Sequence, residues 1–144
     1  MHARIAAYAL TALALAVGIA LVWDALVTTD EERLEELADT LASERAVEGV
    51  LAWTDPARAP LRVRDGEGLR TYGEQDEADL AMGLSQSLSP IAGSRVDVVQ
   101  RAIDVRGDRA TLALRLRVDG DLHDLGATAV RDGQGWLVSE LRVR

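Results

Sequence analysis

The chain of 144 residues contains no cysteine, lysine, phenylalanine or asparagine, only 3 prolines, and few aromatic residues of any kind. Without cysteine there is no disulfide framework, no zinc-thiolate site, no thiol nucleophile and no lipid attached through a cysteine. The absence of lysine leaves all 16 basic residues as Arg, a skew of composition that lowers the information in any single Arg cluster. Positive charge is also in deficit: the net charge is -8 and the pI about 4.7, which disfavours nonspecific association with nucleic acid. There is no P-loop, no dinucleotide fingerprint and no HExxH, and with His123 the one His outside the apolar N-terminal segment no Ser-His-Asp arrangement is credible. No cofactor and no metal site is expected.

What is present begins with one long apolar run. Residues Ile5 to Trp23 carry no charge and span roughly 28 Å as a helix, close to the thickness of a bilayer core. Tyr8 and Trp23 lie near its two ends, where amphipathic rings favour the headgroup level. Arg4 precedes the run and TTDEERLEEL follows it, so the charge rule predicts a cytoplasmic N-terminal end and a folded part on the other side of the cell membrane. A cleaved signal peptide is the competing reading. It needs a shorter apolar core and a small-x-small site after it, whereas Ala14 to Ala16 falls inside the run. The expected division is residues 1–27 as cytoplasmic end and single-pass transmembrane anchor, and residues 28–144 as one extracytoplasmic α+β domain.

Thr29 and Glu32 have capping-box spacing, and Asp30, Glu31 and Glu32 put negative charge on a first helical turn. Leu34, Ala38, Leu41, Ala42, Ala46, Val50 and Trp53 then recur every three or four residues, which predicts one amphipathic helix running until Asp55-Pro56. LRVRDGEGLRTYG predicts a small edge hairpin about Asp65 to Gly68. Leu80, Leu84, Leu88 and Ile91 predict a second helix, ended by Pro90 to Gly93. Residues 28 to 79 hold 15 acids and 6 Arg, residues 80 to 144 hold 8 acids and 9 Arg, so the acidity belongs to the half nearer the apolar run.

Beyond Ser94 the period changes to two. Ala110, Leu112, Leu114, Leu116 and Val118 alternate with Thr111, Ala113, Arg115 and Arg117, the pattern of an antiparallel strand with one wet face. Gly107 and Gly120 mark two-residue hairpins that set Val105 opposite Ala110, Ile103 opposite Leu112, Val99 opposite Leu116, Leu114 opposite Leu125 and Leu112 opposite Ala127. For the last turn, a three-residue loop of Gly133, Gln134 and Gly135 keeps Leu141 and Val143 on the apolar side and sets Leu137 and Ser139 opposite Arg131 and Ala129. The expected fold is therefore α+β: the transmembrane helix, then two amphipathic helices packed on a curved four-stranded antiparallel meander.

The element order and the ending Arg-Asp-Gly-x-Gly-Trp-Leu-Val resemble the nuclear transport factor 2-like superfamily, with its cystatin-like cone, over residues 30–144. Enzymes of that superfamily, such as ketosteroid isomerases and dehydratases, place Asp, His or Tyr inside the cone, and none of those motifs matches here. The resemblance carries an expectation of fold, not of activity. Only Arg101, opposite Leu114, and His123, opposite Leu116, interrupt the predicted apolar face. If the cone is open they are the residues to hold a small anionic or polar ligand. At strand ends they reach solvent instead. Asp121, His123 and Asp124 cannot converge on a metal, because alternation sends Asp124 to the face opposite His123. The reading that follows is a noncatalytic envelope domain that binds a protein partner or another copy of itself. The alternative is a small-molecule-binding or lyase/isomerase-type domain with a pocket inside the cone.

Overall fold

A computed structural model of the chain describes residues 29–133 and 135–144. The apolar run with Ile5, Tyr8 and Trp23 lies outside the described residues, and among the described residues no helix is long and apolar enough to cross a membrane. The chain enters the domain at Thr29, where the capping box is complete: Thr29 N–H donates to Glu32 Oε2 (2.8 Å) and Glu32 N–H donates to Thr29 Oγ1 (3.2 Å).

The order is α1 (Asp30–Leu41), α2 (Ala46–Ala52), β1 (Leu61–Asp65), β2 (Gly68–Tyr72), a 3₁₀ turn (Glu74–Asp76), α3 (Glu77–Ser87), β3 (Val96–Arg106), β4 (Arg109–Val118), β5 (Asp121–Asp132) and β6 (Gly135–Val143). All six strands form one sheet in the order β2-β1-β6-β5-β4-β3. Two parts of the expected architecture are corrected. The sheet is six-stranded and mixed, not a four-stranded antiparallel meander, because the β1–β2 hairpin docks on the meander through a parallel pairing of β1 with β6, Arg62 opposite Glu140 and Arg64 opposite Arg142. Among the described residues the helices number three, because the stripe from Leu34 to Trp53 folds as two pieces. Thr40 Oγ1 donates to Glu36 O (2.8 Å) and Ser43 Oγ to Thr40 O (2.7 Å), so local side chains take the carbonyls at the end of α1 and the chain turns before α2. Gly49 then lets α2 fold back against Thr40, whose methyl fills the space a side chain would need.

The meander keeps most of the register that alternation predicts. Val105 pairs with Ala110, Ile103 with Leu112, Leu114 with Leu125, and Leu112 with Ala127. A bulge between Val98 and Gln100 sets Val98, not Val99, opposite Leu116. The last turn differs in kind. Asp132 pairs with Gly135, so the connection is two residues long and Gly135 is the first residue of β6; Gly133 supplies the left-handed conformation (φ 58°), as Gly107 and Gly120 do in the other hairpins. A second irregularity, between Thr128 and Ala129, restores the phase further along. Trp136 and Val138 therefore point into the core in place of Leu137 and Ser139, while Leu141 and Val143 meet Ala127 and Leu125 as the longer loop would also have had them.

The helices cover one face of the sheet. Leu34, Leu37 and Leu41 of α1 and Leu80 and Leu84 of α3 bury their side chains against Leu112, Leu114, Leu116, Leu125 and Leu141. Each fully buried aliphatic side chain of this size contributes about 1.5–3 kcal/mol from removal of apolar surface from water. The other face of the sheet stays wet and has no covering layer among the described residues: β4 alternates strictly between exposed and buried residues along its whole length.

Candidate functional site

One constellation ties the point of chain entry to the sheet. Arg131, near the end of β5, donates through both guanidinium arms to Asp30 (3.1 and 2.7 Å), and the Trp136 indole N–H donates to the same carboxylate (3.1 Å). The Arg131 guanidinium also lies 4.5 Å from the centre of the Trp136 ring, a cation–π contact. Hydrogen bonds from Arg131 and then Trp136 hold the Asp30 carboxyl below its ordinary range. The same holds for Asp65, chiefly through the Ser87 hydroxyl, and for Asp124, chiefly through Arg115. The sign of the linkage follows: a depressed carboxyl stabilises the fold above its unfolded pKa, about 3.9, and loses that contribution as pH falls through the lower folded value. Acid unfolding should therefore steepen below about pH 4, and Asp30→Asn should flatten that part of a pH–stability curve measured by thermal melts. An unchanged slope in Asp30→Asn would show that this carboxylate has no part in it.

His123 sits at the other end of the domain. With Pro90, Val143 and Arg144 it lines a cleft of about 320 Å³ whose opposite wall is the β1–β2 turn and the end of α3. In that wall Asp65 Oδ2 accepts from Ser87 Oγ (2.5 Å) and from Arg70 Nη2 (2.5 Å), Asp65 Oδ1 accepts from Glu67 N–H (2.9 Å), and Arg70 Nη1 donates to Gln86 (3.0 Å). Ser87 is buried, and Arg70 Nε is buried without a partner among the described residues. This network does not resemble a nucleophile and its base. The Ser87 hydroxyl donates to a carboxylate whose proton affinity has been lowered, whereas a general base needs a proton affinity raised toward the working pH.

Arg101 does not line that cleft. It lies opposite Leu114 on the helix-covered face and forms an ion pair with Asp39 of α1, so the cation at this edge of the cone has its counter-charge within the chain. His123 lies opposite Leu116, as alternation predicts. The space between the sheet and the helices is filled by the side chains of Leu34, Leu37, Leu84, Leu112, Leu116 and their neighbours, each almost wholly buried. Asp124 points away from His123, on the wet face, where Arg115 holds it through two hydrogen bonds (2.8 and 3.2 Å). Among the described residues no group of three or more His, Asp or Glu is placed to hold a metal ion.

Alternation missed the Asp30 clamp and the Asp65 network because it reports on neighbours across one hairpin, whereas Asp30 meets Arg131 and Trp136 from the far end of the chain and Asp65 meets Ser87 from α3. The one available signal was Trp136, too large to stand at a hairpin turn without a packing partner.

No family model matches the chain, and no curated protein matches its sequence. Solved structures do match it. A Nostoc punctiforme protein of unknown function with a cystatin-like fold superposes with a TM-score of 0.57 at 18% identity, over 82% of this chain and 92% of that one. A ketosteroid isomerase-like protein of Parabacteroides distasonis superposes with a TM-score of 0.59 at 14% identity, over 80% and 86%. The chain has the nuclear transport factor 2-like cone fold. A de novo designed protein with a curved β-sheet also superposes on it (TM-score 0.56, 15% identity, 80% and 99% covered), so the cone by itself carries no chemistry.

Proposed function

We propose that the protein is a membrane-anchored, noncatalytic binding domain: the apolar segment Ile5–Trp23 holds it in the cell membrane, and the cone, on the extracytoplasmic side, engages a protein partner or another copy of the chain. The observation that carries the noncatalytic part is the filled interior. A cone enzyme needs room between sheet and helices for its substrate, and here aliphatic side chains occupy that room. Anchoring is supported by the length and purity of the apolar run and by the short connection after it. Residues 24–28 separate Trp23 from the Thr29 cap and, fully extended, reach about 17 Å. The alternative, a small-molecule or lyase/isomerase pocket built on Arg101 and His123, is less well supported because Arg101 is paired with Asp39 and is absent from the cleft that His123 lines.

Membrane fractionation of full-length protein tagged at the C-terminus tests the reading. The protein should stay in the membrane pellet through an alkaline carbonate wash, and the tag should be removed by protease added to intact cells whose outer barrier is opened. A full-length protein that washes free, or a tag sheltered from that protease, overturns it.

A further inference from the structure

The two sides of the domain differ in their balance of charge: Arg outnumbers acid on the outer face of the sheet, where Glu140 pairs with Arg62 and Arg142 and Asp124 with Arg115, whereas the exposed face of α1 is acidic. On the outer, wet face of the sheet, Arg64 of β1 pairs in register with Arg142 of β6, and Arg142 lies opposite Gly126 of β5, which lies opposite Ala113 of β4 and, through it, Ala102 of β3. The small residues floor a trough of about 280 Å³, and Arg115, Arg142 and Arg144 stand along it, with Asp124 between them. Arg64 and Arg117, also exposed on this face, make no ion pair among the described residues. On the opposite side of the molecule, Glu31, Glu32, Glu35 and Glu36 are all exposed on α1. Glu31 with Glu35, and Glu32 with Glu36, are like charges four residues apart, an arrangement that destabilises an isolated helix. No basic residue follows in the last turn of α1 to offset it.

We propose that the Arg-bordered outer face of the sheet receives the acidic crest of α1 from a second copy, so that neighbouring molecules associate head to tail. Charge complementarity selects this occupant. Sheet against sheet would set Arg64 and Arg142 of one copy near the same residues of the other, while sheet against α1 matches opposite signs on both partners. A 12-residue helix is about 18 Å long, comparable with the roughly 14 Å that three successive inter-strand spacings span across the trough. The chain enters at the strand end, where Asp30 is clamped to Arg131 and Trp136, so the acidic and basic faces are both side walls of the tethered domain. In a membrane plane they would face neighbours, and confinement raises the effective concentration of one for the other. A head-to-tail contact leaves a free acidic end and a free basic end, which gives rows or rings in place of a closed pair. This inference deepens the reading of a tethered binding domain and rests on it for the in-plane geometry; the association itself is measured independently of anchoring.

The test is sedimentation velocity of the full chain in detergent micelles at low and high salt, on the wild type, on Arg64→Glu with Arg142→Glu, and on Glu35→Arg with Glu36→Arg. The wild type should form species larger than dimers at low salt and dissociate at high salt. Each double variant alone should associate at least about tenfold more weakly, and an equimolar mixture of the two should regain association, since the intact α1 of one meets the intact sheet face of the other and the two reversed surfaces are themselves opposite in charge. A wild type that is monomeric at every concentration overturns the proposal. So does a dimer that survives in Glu35→Arg with Glu36→Arg but not in the sheet-face variant, which would mean sheet-to-sheet contact, or a mixture that fails to associate. All four side chains are exposed. Should a reversal prevent folding, the neutral pairs Glu35→Gln with Glu36→Gln and Arg64→Gln with Arg142→Gln must weaken association in the same sense for the proposal to hold. Carbonate extraction of the same variants reads anchoring separately, so loss of association with retained membrane residence fails only this inference.

Discussion

Replacing Trp136 with Ala should cost about 3–5 kcal/mol of stability, the usual range for truncating a buried aromatic side chain. The ring is almost fully buried against the core, so truncation loses its contacts and leaves a void. It also removes one donor to the Asp30 carboxylate and the π face beneath Arg131. Domains of this size are commonly stable by only about 5–15 kcal/mol, so the variant should melt far below the wild type or fail to accumulate. Trp136→Phe helps separate the contributions, because it keeps an aromatic ring in the core while deleting the indole donor along with part of the ring. It should lose much less than the Ala variant, and the difference between Trp136→Phe and wild type should shrink when Asp30 is already Asn. Thermal melts of the four proteins read the cycle. A Trp136→Ala domain that melts within a few degrees of wild type would mean that the ring is not part of the core.

How much of this was legible in the sequence follows from what parity can distinguish. Alternation within β4 and the Gly107 and Gly120 turns were enough to pair β3, β4 and β5, since a slip of one residue would put Arg115 and Arg117 into the core in place of Leu114 and Leu116. The same argument placed Arg101 and His123 correctly opposite Leu114 and Leu116, but it cannot say what meets them from across the fold. Their neighbours, Asp39 on α1 and the wall formed by Asp65, Arg70 and Ser87, come from segments tens of residues away. The final hairpin was ambiguous in a specific way. A three-residue loop, and a two-residue loop followed by a bulge, both bring Leu141 and Val143 to Ala127 and Leu125, and they differ only between Trp136 and Ser139. Burying Trp136 and Val138 is better than burying Leu137 and Ser139, because it avoids desolvating a hydroxyl, and that preference was the available signal. The parallel pairing of β1 with β6 left no trace in local pattern. Leu61 and Val63 alternate as any edge strand does, and nothing in such a pattern names the partner or its direction.

Gly83 in α3 gives the second large effect, one whose sign opposes helix propensity. In an exposed helix interior, Gly→Ala stabilises by about 1 kcal/mol, because Ala loses less backbone entropy. At position 83 a Cβ would lie 1.9 Å from the Tyr72 hydroxyl oxygen and 2.6 Å from the ring carbon that bears it. Tyr72 is buried at the end of β2, and its ring is rigid, so the clash can be relieved only by moving the ring or by separating α3 from the hairpin. Overpacking of this kind costs about 1–3 kcal/mol, which outweighs the propensity gain. Gly83→Ala should therefore lower the melting temperature. Tyr72→Leu removes the obstructing ring at its own cost, and in that background Gly83→Ala should become neutral or stabilising. The reversal of sign between the two backgrounds is what a propensity effect alone cannot produce. Gly49→Ala is the internal comparison: its Cβ would meet the Thr40 methyl at 2.0 Å, but a short, partly exposed side chain can rotate away, at the expense of its bond to Glu36 O, so the loss there should be smaller. A Gly83→Ala domain as stable as wild type would show that α3 does not pack on Tyr72 at this distance.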